Sequence, residues 1–241
     1  MTNNILTKLS EYLNDTDILK NLLPIIDEFR YTYTFETNEE LKFAVVLWYA
    51  DKNTARKKFG YISLWNTKNI TDMSFLFEDT LFNDDISSWD TSNVTNMNGM
   101  FLNVESFNQP LNFNTSKVTN MKCMFYGAKS FNQVLNFNTE KVTNMSQMFE
   151  NAKSFNQPLN FTSTKNVVDM SGMFYQAISF NQTLNFTSTK NVVNMESMFF
   201  EAKLFNQSIN RWDVNNVTNN VCMFMNCPIS EENKPVFKID F

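Results

Sequence analysis

The residues of this chain that could do covalent or metal chemistry are few. The sequence contains no histidine, the commonest general base and metal ligand of proteins, and its four glycines are too scattered for a phosphate-binding loop. Cys123, Cys222 and Cys227 form neither a CxxC pair nor a disulfide framework, although a bridge between the last two stays open. The acidic pair Asp84–Asp85 is more simply a turn. We therefore expect no catalytic residue, no metal and no cofactor, and we predict that the protein is not an enzyme.

An uncharged polar array is the strongest candidate for a binding site. Its members alternate with apolar residues, as in the segment 111–115 (LNFNT), so they should point outward from a sheet. A regular array can bind a regular ligand such as a glycan or a repeated protein surface, and it can also be plain solvated sheet. The predicted binding face consists of Asn112, Asn114, Asn136, Asn138, Asn160, Thr162, Asn185 and Thr187.

The elements that must position this array are copies of one repeat. Aromatic residues open the successive copies at steps of 24, 24, 24, 24, 25 and 26 residues. They are Trp65, Trp89, Phe113, Phe137, Phe161, Phe186 and Trp212. Later columns hold an aliphatic residue, a methionine, a Met-Phe or Leu-Phe pair and a Phe-Asn pair. A fixed period of this length predicts units that bury their apolar faces by stacking on one another.

The pattern within one unit predicts an α/β fold. Alternation over 111–115 favours a short strand, and the spacing of Val118, Met121, Met124, Phe125 and Ala128 by threes and fours favours a short helix or helical turn. One strand plus one helical turn is the leucine-rich-repeat plan. We therefore predict a leucine-rich-repeat-like solenoid of about seven coils of 24–25 residues, with parallel strands and an N-terminal helical cap.

Two further columns of polar residues are predicted to be structural. One follows the second phenylalanine of each unit, as Asn132 follows Phe131, and the other precedes the methionine, as Asn120 precedes Met121. Stacked amides can bond to each other and to the turn backbone from coil to coil. These columns should therefore hold the stack together rather than bind a ligand.

The repeat resembles a known family. The wording V-T-N-M-x-x-M-F-x-x-A-x-x-F-N-Q-P-L-N is similar to the repeat of the BspA-like leucine-rich-repeat surface proteins, over about residues 35–224. The family usually has W-D-T-S at the strand exit, which this chain keeps at residues 89–92 and changes in later copies. The resemblance implies a repeat solenoid used for adhesion or protein binding. It implies no catalytic residues.

Composition limits the partners. The net charge is −5, and the repeats carry no basic stripe, which disfavours binding to a phosphate backbone. No apolar run reaches the length of a membrane span. We therefore expect a protein or glycan ligand, no nucleic acid and no membrane span, and the oligomeric state stays open.

The regions that flank the repeats divide the chain into three parts. Residues 1–64 are predicted to be a mostly helical capping region, residues 65–227 the solenoid, and residues 228–241 a cap or tail. Thr37 and Glu40 form a capping-box pattern that starts a helix running to about Lys58, with Gly60 as its stop. The first residues show no signal-peptide pattern, so an intracellular or virion-associated location is favoured over secretion.

Three functions remain open at this point. The leading one is a non-enzymatic scaffold for protein binding or adhesion. The second is a structural component of a larger assembly, such as a virion or a surface layer. The third is a substrate adaptor, because residues 1–30 faintly resemble an F-box docking module, although the motif's opening Leu-Pro is absent and a helical cap over the first coil is the simpler interpretation.

Overall fold

The computed structural model describes residues 32–237 of the 241-residue chain. Two α-helices lie in the described range, α1 (Asn38–Ala50) and α2 (Lys52–Phe59). Two 3₁₀ helices follow, Ile62–Leu64 before the repeats and Glu231–Asn233 after them. The F-box-like pattern of residues 1–30 lies outside the described residues.

The sequence explains why α1 and α2 begin and end where they do. Thr37 caps α1 by accepting a hydrogen bond from the Glu40 backbone N–H at 3.1 Å, as the capping-box pattern predicts. A single helix as far as Lys58 is wrong, because Asp51 ends α1 and its carboxylate caps α2 by accepting from the Thr54 N–H at 3.1 Å. Gly60, with φ of +76°, ends α2.

The repeats stack on one another through the backbone. In each repeat, the stretch that begins directly after the residue of the aliphatic column is called the turn arm here. The turn arms are residues 71–79, 95–103, 119–127, 143–151, 168–176, 193–201 and 218–226. In the first six arms the N–H groups of alternate residues donate to the next coil, as Cys123 does to the Ser146 carbonyl at 2.9 Å. The N–H groups between them close tight turns within the arm, as Tyr126 does to the Cys123 carbonyl at 3.1 Å.

The predicted α/β solenoid of strand-plus-helix coils is wrong. Within residues 32–237 the structure contains no β-strand and no helix inside the repeats, only isolated parallel bridges such as Asn120↔Asn144. The turn arm is not helical because left-handed residues interrupt it, for example Cys123 (φ +55°) and Gly127 (φ +66°). Overlapping turns bury residues at intervals of three and four just as a helix does, which is why the spacing misled the prediction.

The core is a set of ladders of identical residues. Phe125 stacks on Phe149 of the next coil with ring centroids 5.6 Å apart and planes 6° apart, and Phe149 continues to Phe174 at 5.7 Å. A second phenylalanine ladder lies beside it, with Phe125 and Phe131 of the same coil 4.1 Å apart. These rings are fully buried, together with the methionine columns. Offset aromatic stacking thus joins each coil to the next.

The first coil is covered by α1. The buried side of this helix comprises Leu41, Ala44, Val45 and Trp48. The Trp48 indole N–H donates to the Asp84 carboxylate at 2.9 Å, and its ring meets Trp65 edge to face at 5.7 Å. At the other end, Ile209 donates its backbone N–H to the Asn233 carbonyl at 2.9 Å, so the segment after the repeats covers part of the last coil.

Candidate functional site

The structure places all eight predicted face residues on one side of successive coils. Seven are exposed and Asn138 is half-buried, while the residues between them, such as Leu111 and Phe113, are buried. The alternation survives without a β-sheet because these segments are extended but pair little through their backbones. The residues form two rows. The Asn row contains Asn112, Asn136, Asn160 and Asn185; the turn row contains Asn114, Asn138, Thr162 and Thr187.

The turn row takes part in holding the coils together. The side-chain oxygens of Asn114 and Asn138 accept the backbone N–H two residues ahead, at 3.1 and 3.0 Å. Thr162 accepts the N–H of Thr139 in the preceding coil at 3.0 Å, and Thr187 accepts from Thr164 at the same distance. Much of the hydrogen-bonding capacity of this row is therefore used inside the molecule.

The Asn row keeps more of its capacity for a ligand. Asn160 donates its amide to the Asn136 side-chain oxygen at 3.0 Å. Asn112 and Asn185 make no side-chain hydrogen bond to any other residue within 32–237, and both are exposed. An exposed amide offers two donors and an acceptor without charge, so this row can recognise polar groups of either kind.

A cleft adjoins the last member of the Asn row. It measures about 490 Å³ and is lined by 184–186 and 208–212. Phe186 and Trp212 stack at 5.3 Å there and are only partly buried, unlike Phe113 and Phe137 in earlier coils. Arg211, which lengthens the repeat opened by Phe186 to 26 residues, is exposed beside them. The cleft therefore joins an amide, two aromatic edges and a cation. Aromatic residues and arginine are enriched in protein interfaces. Our sequence reasoning missed it, although the inserted Arg211 was the available signal.

The two columns predicted to be structural are structural. The Asn132 side-chain oxygen accepts the backbone N–H of Asn156 in the next coil at 2.9 Å, and Asn156 does the same for Asn181 at 2.9 Å. In the other column, the Asn120 side-chain oxygen accepts the N–H of Lys122 at 3.0 Å and closes a turn. In both columns the side-chain oxygens thus hold the backbone of the coils in place.

A column of buried threonines was missed by the sequence reasoning. Its hydroxyls donate to backbone carbonyls of the next coil, as Thr115 does to Asn138 at 2.9 Å and Thr91 to Asn114 at 3.1 Å. These hydroxyls replace the strand ladder that the extended segments lack. The available signal was the threonine near the start of every unit except the last, two to three residues after the aromatic.

Burial affects several of the ionisable groups in the part of the chain that the structure describes. Burial raises the pKa of the Cys123 thiol to about 11, so it is protonated at neutral pH and a poor nucleophile. Cys222 and Cys227 are free thiols. Among the described residues no group of three or more Cys, Asp or Glu side chains could hold a metal ion. Burial also raises the pKa of the Glu150 carboxyl, which bonds to Gln147 and Tyr126.

Stacked coils with ladders of identical residues define the chain as a repeat protein. It belongs to the family described as DUF285, a Mycoplasma protein of unknown function. The family model matches residues 49–159 and again residues 133–236, which together cover more than half of the chain. A search of curated proteins found no match, and neither did a search of solved structures. Within 32–237 no helix has the length and apolarity needed to cross a membrane.

Proposed function

We propose that this protein is a non-enzymatic scaffold that binds a protein through the Asn row and the adjoining cleft. The observation that carries the proposal is the cleft, where Asn185, Phe186, Arg211 and Trp212 converge at the end of an uncharged amide row. The similarity of the repeat to BspA-like surface proteins supports an adhesion or protein-binding role. A partner would contact the amides along the row and place an apolar or anionic group in the cleft.

Two residues of the Asn row are suited to a test of binding, because their side chains make no hydrogen bond to another described residue. Asn112→Lys and Asn185→Lys together place charges on exposed positions without removing a side-chain hydrogen bond among the described residues. The matched control, Ser130→Lys with Ser154→Lys, adds the same charge at exposed positions on another corner of the coils. Wild type and both variants are used as crosslinking baits in a lysate of the source cell, after circular dichroism shows all three to be folded.

The proposal requires one protein that wild type and the control retain and the row variant loses. Crosslinks from that protein should fall near the Asn row or on 208–212. If the row variant retains the same partners as the control, this surface is not the binding site. The same three proteins are also tested on a glycan array. Binding there by wild type and control, but not by the row variant, would mean that the ligand is a glycan and not a protein.

A further inference from the structure

The stack brings lysines of different repeats to one corner. In each coil a turn of two residues lies just before the aliphatic column, at 68–69, 92–93, 116–117, 140–141, 165–166, 190–191 and 215–216. These turns hold five of the ten lysine and arginine residues of 65–227, and all five are exposed. We call them the lysine corner: Lys68, Lys117, Lys141, Lys165 and Lys190.

The expectation that the repeats carry no basic stripe is therefore wrong. From Lys117 to Lys190 the successive lysines of the corner are 24, 24 and 25 residues apart along the chain, so the sequence shows no basic run. Only the stacking of the coils places them side by side.

Asparagine side chains hold the corner turns in register. Asn93 donates its amide to the Lys68 carbonyl of the preceding coil at 2.7 Å, and Asn191 donates to the Lys165 carbonyl at the same distance. The Lys117 ammonium reaches back to the Asn93 side-chain oxygen at 2.5 Å. The corner is therefore a ridge with a fixed backbone, from which the lysines of successive coils project.

The lysine corner has few acids to neutralise it. None of its lysines forms an ion pair within residues 32–237, whereas Lys129 and Lys203 elsewhere in the repeats pair with Glu105 and Glu201. Glu140 is the one acidic residue of the corner turns. Although the chain carries a net charge of −5, this ridge is positive, and a local field of this kind attracts anions.

The middle of the stack holds the most positive stretch of the corner. Near its ends, the Asp90 carboxylate accepts the N–H of Ser92 at 3.0 Å and the Asp213 carboxylate accepts the N–H of Asn215 at 3.1 Å, so an acid lies at each of these corner turns. In the four coils between them the corner turns hold four lysines and one glutamate.

We propose that the lysine corner binds a linear acidic polysaccharide that lies along the stack. Neighbouring coils are about 4.8 Å apart, which is less than the Debye length of about 8 Å, so their lysines repel one another. A chain of carboxylate or sulfate groups would offset this repulsion and release bound counterions. This inference does not rest on the Asn row or its cleft.

The surroundings of the corner favour a polysaccharide over other anions. The ridge is one lysine wide, so a linear chain fits it better than the broad surface of a membrane. The exposed residues Thr119 and Thr143 follow Lys117 and Lys141 by two positions. Their hydroxyls suit a partner that carries hydroxyl groups beside its anionic groups.

The test removes two charges from the middle of the corner in the full chain. The corner variant carries Lys141→Gln and Lys165→Gln, and the matched control carries Lys122→Gln and Lys153→Gln away from the corner. All four side chains are exposed and make no hydrogen bond or ion pair within 32–237, so both variants should fold, which circular dichroism checks. Binding to polygalacturonate, with uncharged dextran as the reference, is measured by titration calorimetry at several salt concentrations.

We expect wild type and the control to bind polygalacturonate and not dextran, with an affinity that falls as salt rises. The corner variant should bind at least about tenfold more weakly, and the control less than about twofold more weakly. No binding by wild type, or equal losses in both variants, overturns the proposal. So does corner-dependent binding to polyglutamate, single-stranded DNA or phosphatidylserine vesicles in place of polygalacturonate, which would assign the corner to an acidic protein, a nucleic acid or a membrane.

Discussion

Thr115 shows how one buried hydroxyl joins two coils. It donates to the Asn138 carbonyl at 2.9 Å and is only 1% exposed. Thr115→Val keeps the shape but leaves a buried carbonyl without its donor, which lowers the free energy of unfolding by about 1–3 kcal/mol. Ser130→Ala removes an exposed hydroxyl of the same coil that makes no side-chain hydrogen bond among the described residues, and it should change the free energy of unfolding by less than about 0.5 kcal/mol. The free energies of unfolding of the two variants are measured by denaturant unfolding. Equal losses would show that the threonine column does not stabilise the stack.

Glu150 should make stability depend on pH in the opposite sense to most carboxylates. Burial raises its pKa above the ordinary value of 4.5, so the folded state holds the proton more tightly than the unfolded state. At pH values below that ordinary pKa, the Glu150 carboxyl is protonated in both the folded and the unfolded state, and its burial costs no stability. As pH rises from there through the raised folded pKa, ionisation lowers the stability of the fold. Glu150→Gln should therefore raise the free energy of unfolding at neutral pH and leave it nearly unchanged at acid pH.

A second readout for the same variant is the neighbouring phenol. The Glu150 charge is the main reason that the pKa of Tyr126 is raised. Glu150→Gln should lower the pKa of Tyr126 in an ultraviolet titration, while Glu140→Gln, at an exposed position just before the same turn arm, should leave it unchanged. An unchanged Tyr126 titration would contradict the contact between these two side chains.

At the scale of elements, α1 should stabilise the first coil as a cap. Leu41 is fully buried on the side of the helix that faces the repeats. Leu41→Ala should lower the free energy of unfolding by roughly 2–5 kcal/mol because it leaves a cavity between cap and coil. Val46→Ala, on the exposed side of the same helix, should change it by less than about 0.5 kcal/mol. Comparable losses from both would mean that α1 does not act through its buried side.

The sequence predicted which residues are buried better than it predicted how the backbone runs. The columns of Val118, Met121 and Phe125 are buried because stacking equal units demands it, whatever the local conformation. The helical arm was wrong because the pattern cannot distinguish a helix from overlapping turns. Left-handed conformation at Cys123 is held by stacking on the neighbouring coils and has no signal in its residue type. The strand was wrong because the hydroxyl of Thr115 supplies a bond that the backbone was expected to make.

The candidate site was predicted in part for the same reason. Alternation with Leu111 and Phe113 was enough to place Asn112 outside. It could not show that Asn138 and Thr162 would bond into neighbouring turns, since that depends on the stacking geometry. The cleft beside Asn185 arises from the changed last repeat, where the ladder loses its regular spacing. Binding by the face itself stays a prediction.

At the scale of the whole molecule, the ladders should make stability a sum of contacts between neighbouring coils. Phe125 touches Phe149 at 5.6 Å, whereas Phe199 lies three coils further on. In a double-mutant cycle, Phe125→Leu with Phe149→Leu should be non-additive by about 0.5–1.5 kcal/mol, because one stacked pair is lost only once. Phe125→Leu with Phe199→Leu should be additive within about 0.5 kcal/mol.

The distant pair serves as the matched control, because both cycles replace the same kind of ring in the same ladder. Denaturant unfolding supplies the four free energies of each cycle. Near-additivity of the distant pair and coupling of the adjacent pair are what a chain of nearest-neighbour contacts requires. If the distant pair couples as strongly as the adjacent one, the ring at position 125 influences the stack through more than its direct neighbours.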